Sequence, residues 1–353
     1  MEPSGSAEFK LAVECCKHSF RPPSRGVEVP AEIDWDQFLR LVRFHRIEGL
    51  AWNGLAGNAA LPGFMDDALR KAASGIAAEN LRAKAECQAL LEAAKFPCLF
   101  LKGLTLGALA YGNPALKSAI DIDLLIDTKD LDQATELFLE SGYQLRCPGD
   151  EARVEAWHRR WKESLWLKDG LPLQMDLHTR AANNPRIIPT ITARSDSQRV
   201  DIGDGIALPT LAKEELFAYL AVHGASSAWF RLKWISDFAA LLHAESAAER
   251  ERLYRMSQQL RAGRAAGQAL LLADALFGSL EDLPGLRREL SSDSRAGLLF
   301  RAALRQVSGD PIEPTEKRFG TLAIHWTQFL MLPGLGFKGS ELVGQAGRAL
   351  NQR

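Results

Sequence analysis

Residues 120–126 read Ile120-Asp121-Ile122-Asp123-Leu124-Leu125-Ile126, an aliphatic run with two carboxylates two positions apart. Successive side chains of an extended strand point to opposite faces. Ile120, Ile122, Leu124 and Ile126 therefore share one face, and Asp121 and Asp123 share the other, about 6.6 Å apart along the backbone. One face is built for burial and the other is free for a ligand. Two uncompensated carboxylates this close repel and raise one pKa unless a cation lies between them. Mg²⁺ (or Mn²⁺) suits that place, being a hard ion that takes oxygen ligands and bridges protein carboxylates to phosphates. By itself a D-x-D pair is more often a solvated strand face. Here a third carboxylate, Asp176, stands in another apolar run, Gln174-Met175-Asp176-Leu177-His178, where an unpaired charge is costly.

Outward from this run the pattern alternates between strand and helix. Cys98–Lys102 is a short apolar strand ending at Gly103, Tyr143–Arg146 is another, and the runs within Ser164–His178 form a hairpin around Asp169-Gly170. Between them, Leu104–Ala110, Leu131–Glu140 and Glu151–Arg160 carry helical periodicity. The residues before this segment read as helices. One runs from the N-cap Asp34 toward a stop at Gly57, and a long one covers Met65–Ala94 with a break near Gly75 and an end before Pro97. After a short apolar patch at Gly205–Leu208 the pattern is helical again and closes on a Gly-rich stretch expected to be a flexible tail. The fold class is α+β, with a helical region over 1–95, a mixed core over 96–208 and a helical region over 209–353.

The chain has 353 residues, 46% hydrophobic and 25% charged, which is the composition of an ordinary globular protein of one large or two modest domains. Lys and Arg total 43 against 44 Asp and Glu, so no global field draws in nucleic acid or an anionic membrane, and any anion must be held locally. Five cysteines without a C-x-x-C pair fit neither a disulfide framework nor a zinc site. With no basic-then-apolar leader at the N-terminus and no long apolar span, the expected location is cytoplasmic.

The runs LKGLTLGALAYGNPALKSAIDIDLLI, MDLH and LFAYLAVHGASSAWFRLKWISDFAALL, with the opening WDQFLRLVRFHRIEGLAWNGL, resemble the uncharacterised nucleotidyltransferase family of the DNA-polymerase-beta superfamily over roughly Trp35–His243. That resemblance implies a polymerase-beta-like core with a glycine opening the helix after the first strand (Gly103), a D-x-D on the next strand (Asp121, Asp123) and a third acid on a later one (Asp176). It implies that Asp121 and Asp123 hold Mg²⁺ with a nucleoside triphosphate, ATP first among candidates. Asp176 would share the metal and help deprotonate an acceptor hydroxyl, and pyrophosphate would leave. Two departures stand out. Leu104 follows Gly103 where a serine is common, which leaves Thr105 as the available hydroxyl. Lys117 stands near the position of an arginine that would precede the acids, and Lys lacks the bidentate fork. The acceptor is not identified by the residues: small molecule, sugar, peptide and protein are open, and the neutral charge disfavours nucleic acid. A nucleotide-binding module without turnover and a phosphotransferase releasing ADP are the other readings.

Lys102, at the strand-to-helix turn, is a candidate phosphate ligand or a solvated strand end. His178 shares the face of Asp176 and is a candidate second neighbour of the site or a pocket wall. Asp127, at the strand's end, reads as an exposed cap. Among His223, Trp229, Arg231, Lys233, Trp234 and Asp237, the first, third and fourth could reach base or phosphates, while Trp234 has the period of a core residue along with Phe238 and Leu241. Trp157, His158, Arg159, Arg160 and Trp161 could stack on a base or end a solvated helix.

Overall fold

The computed structural model describes residues 5–22, 26–118, 120–318 and 320–351. Of the N-terminal stretch read for a leader, residues 1–4 lie outside the described residues. The chain opens with α1 (Ala7–His18), α2 (Trp35–His45), α3 (Glu48–Leu55) and α4 (Gly63–Ala93). Asp34 caps α2, its carboxylate accepting from Gln37 N. The helix expected to run on to Gly57 breaks at Arg46, which takes a left-handed conformation (φ 56°, ψ 48°) and turns the chain into α3. No break occurs at Gly75. The 31 residues of α4 are continuous because Met65, Leu69, Ile76, Ala83, Cys87 and Leu90 are buried along its whole length.

The middle of the chain runs β1 (Cys98–Phe100), α5 (Leu104–Tyr111), β2 (Asp121–Ile126), α6 (Leu131–Glu140), β3 (Tyr143–Cys147), α7 (Val154–Arg160), β4 (Glu163–Lys168), β5 (Leu171–His178), β6 (Ser197–Asp201) and β7 (Ala207–Leu211). The first five strands form one mixed sheet in the order β1-β2-β5-β4-β3, in which β2 and β5 pair in parallel and the other three pairs are antiparallel. β6 and β7 make a separate antiparallel ribbon. The sequence hinted at the second of these strands but not the first, where Val200 is the one buried residue.

Helices α8 (Lys213–Ser226), α9 (Leu232–His243), α10 (Ala247–Gln259), α11 (Gly263–Phe277), α12 (Pro284–Ser292), α13 (Ser294–Val307), α14 (Leu322–Gln328) and α15 (Leu335–Asn351) complete the chain. The Gly-rich stretch expected as a flexible tail is α15. Phe337 and Glu341 are buried on it, and Glu341 accepts from Asn184 Nδ2 at 2.9 Å.

Two hydrophobic cores lie on opposite faces of the sheet. Ile122, Leu124 and Ile126 of β2 and Leu173, Met175 and Leu177 of β5 pack with Ala83, Cys87 and Leu90 of α4 and Phe138 of α6. Leu99, Leu101 and Leu125 point the other way, into a larger core built from α1–α5, α8, α9 and α11. The acids share this second face, so helices from both ends of the chain wall them in. No helix among the described residues is long and apolar enough to cross a membrane.

Candidate functional site

The parallel register of β2 and β5 sets Asp123 directly opposite Asp176, Asp121 opposite Gln174 and Leu125 opposite His178. The antiparallel register of β4 then sets Glu163 opposite His178. On the other flank Leu101 N donates to Asp123 O at 3.0 Å, which holds the end of β1 against β2 and brings Lys102 to the acids. Asp123 is 3% exposed. Its Oδ1 accepts from Lys102 Nζ at 3.0 Å and from His178 Nε2 at 3.0 Å, whereas its Oδ2 is buried and has no partner among the described residues. Because Asp123 can only accept, His178 Nε2 carries the proton, and Nδ1 accepts from the Lys162 ammonium at 3.3 Å.

Burial alone would raise Asp123, but the Lys102 ammonium and the His178 hydrogen bond outweigh it and hold the carboxyl well below the usual range. Burial alone would likewise lower Lys102, and the Asp123 charge holds it well above its ordinary value. Burial and the Lys162 charge push His178 down, which keeps it neutral at pH 7. Asp176 goes the opposite way. Burial, then the charges of Asp123, Glu163 and Asp121, raise it to about 7, and it has no hydrogen bond or ion pair among the described residues. The two facing carboxylates thus shift in opposite directions, Asp123 held ionised and Asp176 raised toward neutrality.

One oxygen of Asp123, one of Asp176 and a ring nitrogen of His178 lie within 4.8 Å of one another. Both nitrogens of His178 are engaged, so the oxygens of this group without a partner among the described residues are Asp123 Oδ2 and those of Asp176. An orphaned buried carboxylate oxygen beside an unpaired carboxylate fits a hard divalent cation. Asp121 stands outside this group of three. It lines a neighbouring cleft of about 90 Å³ with Lys102, Gly103, Lys117 and Lys233.

Gly103 opens α5 with φ 67° and ψ −121°, a backbone shape that side chains disfavour strongly. The Thr105 hydroxyl, expected to face phosphates, is buried and donates back to Lys102 O at 3.2 Å. It closes the turn instead of facing the cleft. Lys117 lines the cleft, but its ammonium pairs with Asp237 Oδ2 of α9 at 2.5 Å, and Asp237 Oδ1 accepts from Tyr111 OH at 3.0 Å. Asn80 of α4 holds the approach to β2 by donating to Lys117 O at 3.0 Å.

His223 and Trp234 line the same cleft, their rings edge to face at 5.6 Å, and Trp234 also packs against the large core, as its period predicts. Phe238 is core, as is Trp229. Arg231 faces elsewhere, donating to Phe44 O and pairing with Glu313 Oε1 at 2.5 Å. Asp127 pairs with Arg194 at 3.0 Å and makes no capping bond. The basic-aromatic cluster braces strand ends: Trp157 Nε1 donates to Glu163 O at 2.7 Å, and buried His158 spans Thr179 Oγ1 and Ser164 Oγ at 2.9 and 3.0 Å. Arg159 pairs with Glu155 on the surface, Arg160 is exposed, and Trp161 packs on Trp157 with ring centroids 5.6 Å apart. All five cysteines are free thiols, four of them buried.

Sequence reasoning passed over Lys162, Glu163 and Tyr219. Glu163 opens β4 with the parity of the acid face, a signal present in the sequence. Burial would raise its carboxyl, but the Lys162 charge draws it down to about 2. Tyr219 of α8 is buried with its OH unpartnered among the described residues, and burial raises its proton affinity, with Lys102 and Asp123 acting on it as nearby charges. Only the packing of α8 over the sheet brings it there.

No curated protein and no solved structure matches this chain. A family model described as uncharacterised nucleotidyltransferase matches residues 31–278, a span that holds all of the sheet and the cleft-lining helices. With acids on adjacent parallel strands, a glycine-opened helix beside them and most of its length inside that match, the chain belongs to the uncharacterised nucleotidyltransferase family.

Proposed function

We propose that the protein transfers a nucleoside monophosphate from a nucleoside triphosphate, ATP first, to a hydroxyl acceptor with release of pyrophosphate. Residues 96–208 would be a polymerase-beta-like core, and the helical regions 1–95 and 209–353 would close its cleft. The observation that carries this reading is the facing pair Asp123 and Asp176, with one carboxylate oxygen buried and orphaned and the other carboxylate unpaired. Asp123, Asp176 and, from the cleft side, Asp121 would hold Mg²⁺ or Mn²⁺. The metal would supply charge neutralisation for the transferring phosphate and for the oxygens that attack and leave.

The chain's own groups do the rest. His178 fixes the Asp123 carboxylate through Oδ1 and leaves Oδ2 free for a cation. Lys102 sits within reach of both that carboxylate and the cleft, where an ammonium and the N-terminus of α5 favour phosphate. Asp176, opposite Asp123 and without a hydrogen-bond partner among the described residues, would hold the metal and take the acceptor's hydroxyl proton. Such chemistry asks a protein mainly for positioning and electrostatics, which these residues provide without a covalent nucleophile.

A second reading, a nucleotide-binding module without turnover, is favoured by the Thr105 hydroxyl turned into the chain and by the Lys117 charge spent on Asp237. The test is incubation with each triphosphate labelled at the α-phosphate, Mg²⁺ or Mn²⁺, and a cell extract. Transfer of label that vanishes in Asp123→Asn and Asp176→Asn supports the enzyme. Nucleotide binding without transfer favours the module, and release of ADP identifies a phosphotransferase.

A further inference from the structure

We propose that Arg46 and Lys233 form the seat for the terminal phosphates of the nucleotide, supplied by the two helical regions from outside the sheet; this rests on the triphosphate reading above. Of the four cations that line the cleft beside Asp121, two are already neutralised, Lys102 by Asp123 at 3.0 Å and Lys117 by Asp237 at 2.5 Å. Arg46 and Lys233 are not. Among the described residues neither side chain has a hydrogen bond or ion pair, although Lys233 is only 9% exposed.

A buried cation without a partner is costly, and this one is crowded by others of its own sign. The groups that face Lys233 are Arg46 from the α2–α3 corner, Glu48 from α3, Lys117 and Asp121 from the approach to β2, His223 from α8 and Asp237 on its own helix. Burial first, then Lys117 and Arg46, pull its ammonium down to about 7. Among the described residues, Asp121 is the one carboxylate lining the cleft that is not spent on a lysine. A polyanion is what this balance lacks.

Arg46 adds the geometry. It occupies the left-handed position at the end of α2, where glycine is the inexpensive choice, and it lines the cleft from there. A guanidinium there offers the bidentate fork that Lys117 does not. Charge on the two phosphates that depart as pyrophosphate would meet a fork from one helical region and an ammonium from the other.

The experiment is calorimetric binding of inorganic tripolyphosphate, ATP and AMP to the full chain, wild type against Arg46→Gly, Lys233→Met and Lys233→Arg. Losing a charged hydrogen-bond partner corresponds to about ten-fold or more in affinity. Arg46→Gly and Lys233→Met are expected to weaken tripolyphosphate and ATP by at least that factor and to leave AMP unchanged, with Lys233→Arg restoring most of the loss. Arg46→Gly also relieves the left-handed backbone, so its melting temperature should hold or rise, which separates a lost ligand contact from a lost fold. The seat is overturned if wild type binds neither tripolyphosphate nor ATP, or if the variants bind both as wild type does, or if AMP weakens equally. Tripolyphosphate binding that depends on both residues, without nucleotidyl transfer, would keep the seat and remove the enzymatic reading.

Discussion

Replacing Asp176 with asparagine removes a carboxyl whose proton affinity is raised from its ordinary 3.8 to about 7 while leaving the side chain's size unchanged. The folded, metal-free protein therefore keeps a proton that the unfolded chain gives up, and this group's contribution to stability falls as pH rises from about 4 to about 7. Between pH 5 and pH 8 the wild type crosses about two units of that window, at about 1.4 kcal/mol each, or about 3 kcal/mol. An unfolding entropy of about 2.1 cal/mol/K per residue makes this about 4 °C in melting temperature for a chain of this length. Asparagine has no such term. In EDTA, the melting temperature of Asp176→Asn minus that of wild type should grow by about 4 °C from pH 5 to pH 8. Added Mn²⁺ should then reverse the order at pH 8 by stabilising wild type alone. A difference that stays flat with pH, or shrinks toward pH 8, would refute the argument that burial and the charges of Asp123, Glu163 and Asp121 raise this carboxyl.

Three further outcomes follow from the geometry. His178→Ala should weaken Mn²⁺ binding by about 10- to 100-fold, read by titration of the free ion, since Asp123 loses the donor that aims it. Lys117→Met leaves Asp237 buried with Tyr111 as its one donor among the described residues and should cost about 3–5 kcal/mol in urea unfolding, most of which a second change, Asp237→Leu, should recover. Gly103→Ala should destabilise by about 1–3 kcal/mol in thermal unfolding, because its backbone conformation has no relaxed form for a side chain.

The strands and their buried faces were legible because alternation is a local property: Ile122, Leu124, Leu173, Met175 and Leu177 each declared their side by parity alone. The acids were legible for the same reason, and their convergence needed only that two such strands be neighbours. What one strand's pattern does not contain is register, so the exact facing of Asp123 and Asp176 came from the structure. Partners distant in sequence were also beyond reach. Lys117 reads as a free cation until Asp237, 120 residues later, is packed against it. Thr105 reads as an available hydroxyl until the turn is seen to consume it. The break at Arg46 was missed because no glycine or proline marks it, and a non-glycine left-handed residue leaves no compositional sign.

The unbroken helix α4 has a consequence for how the molecule comes apart. Its first half, through Met65 and Leu69, is embedded in the large helical core, and its second half, through Ala83, Cys87 and Leu90, is embedded behind the sheet. Neither core can melt while the other stays ordered without fraying the same rod at its middle, near Asn80, which also tethers the approach to β2. Heat and denaturant should therefore meet a single cooperative unit, with calorimetric and van't Hoff enthalpies in agreement.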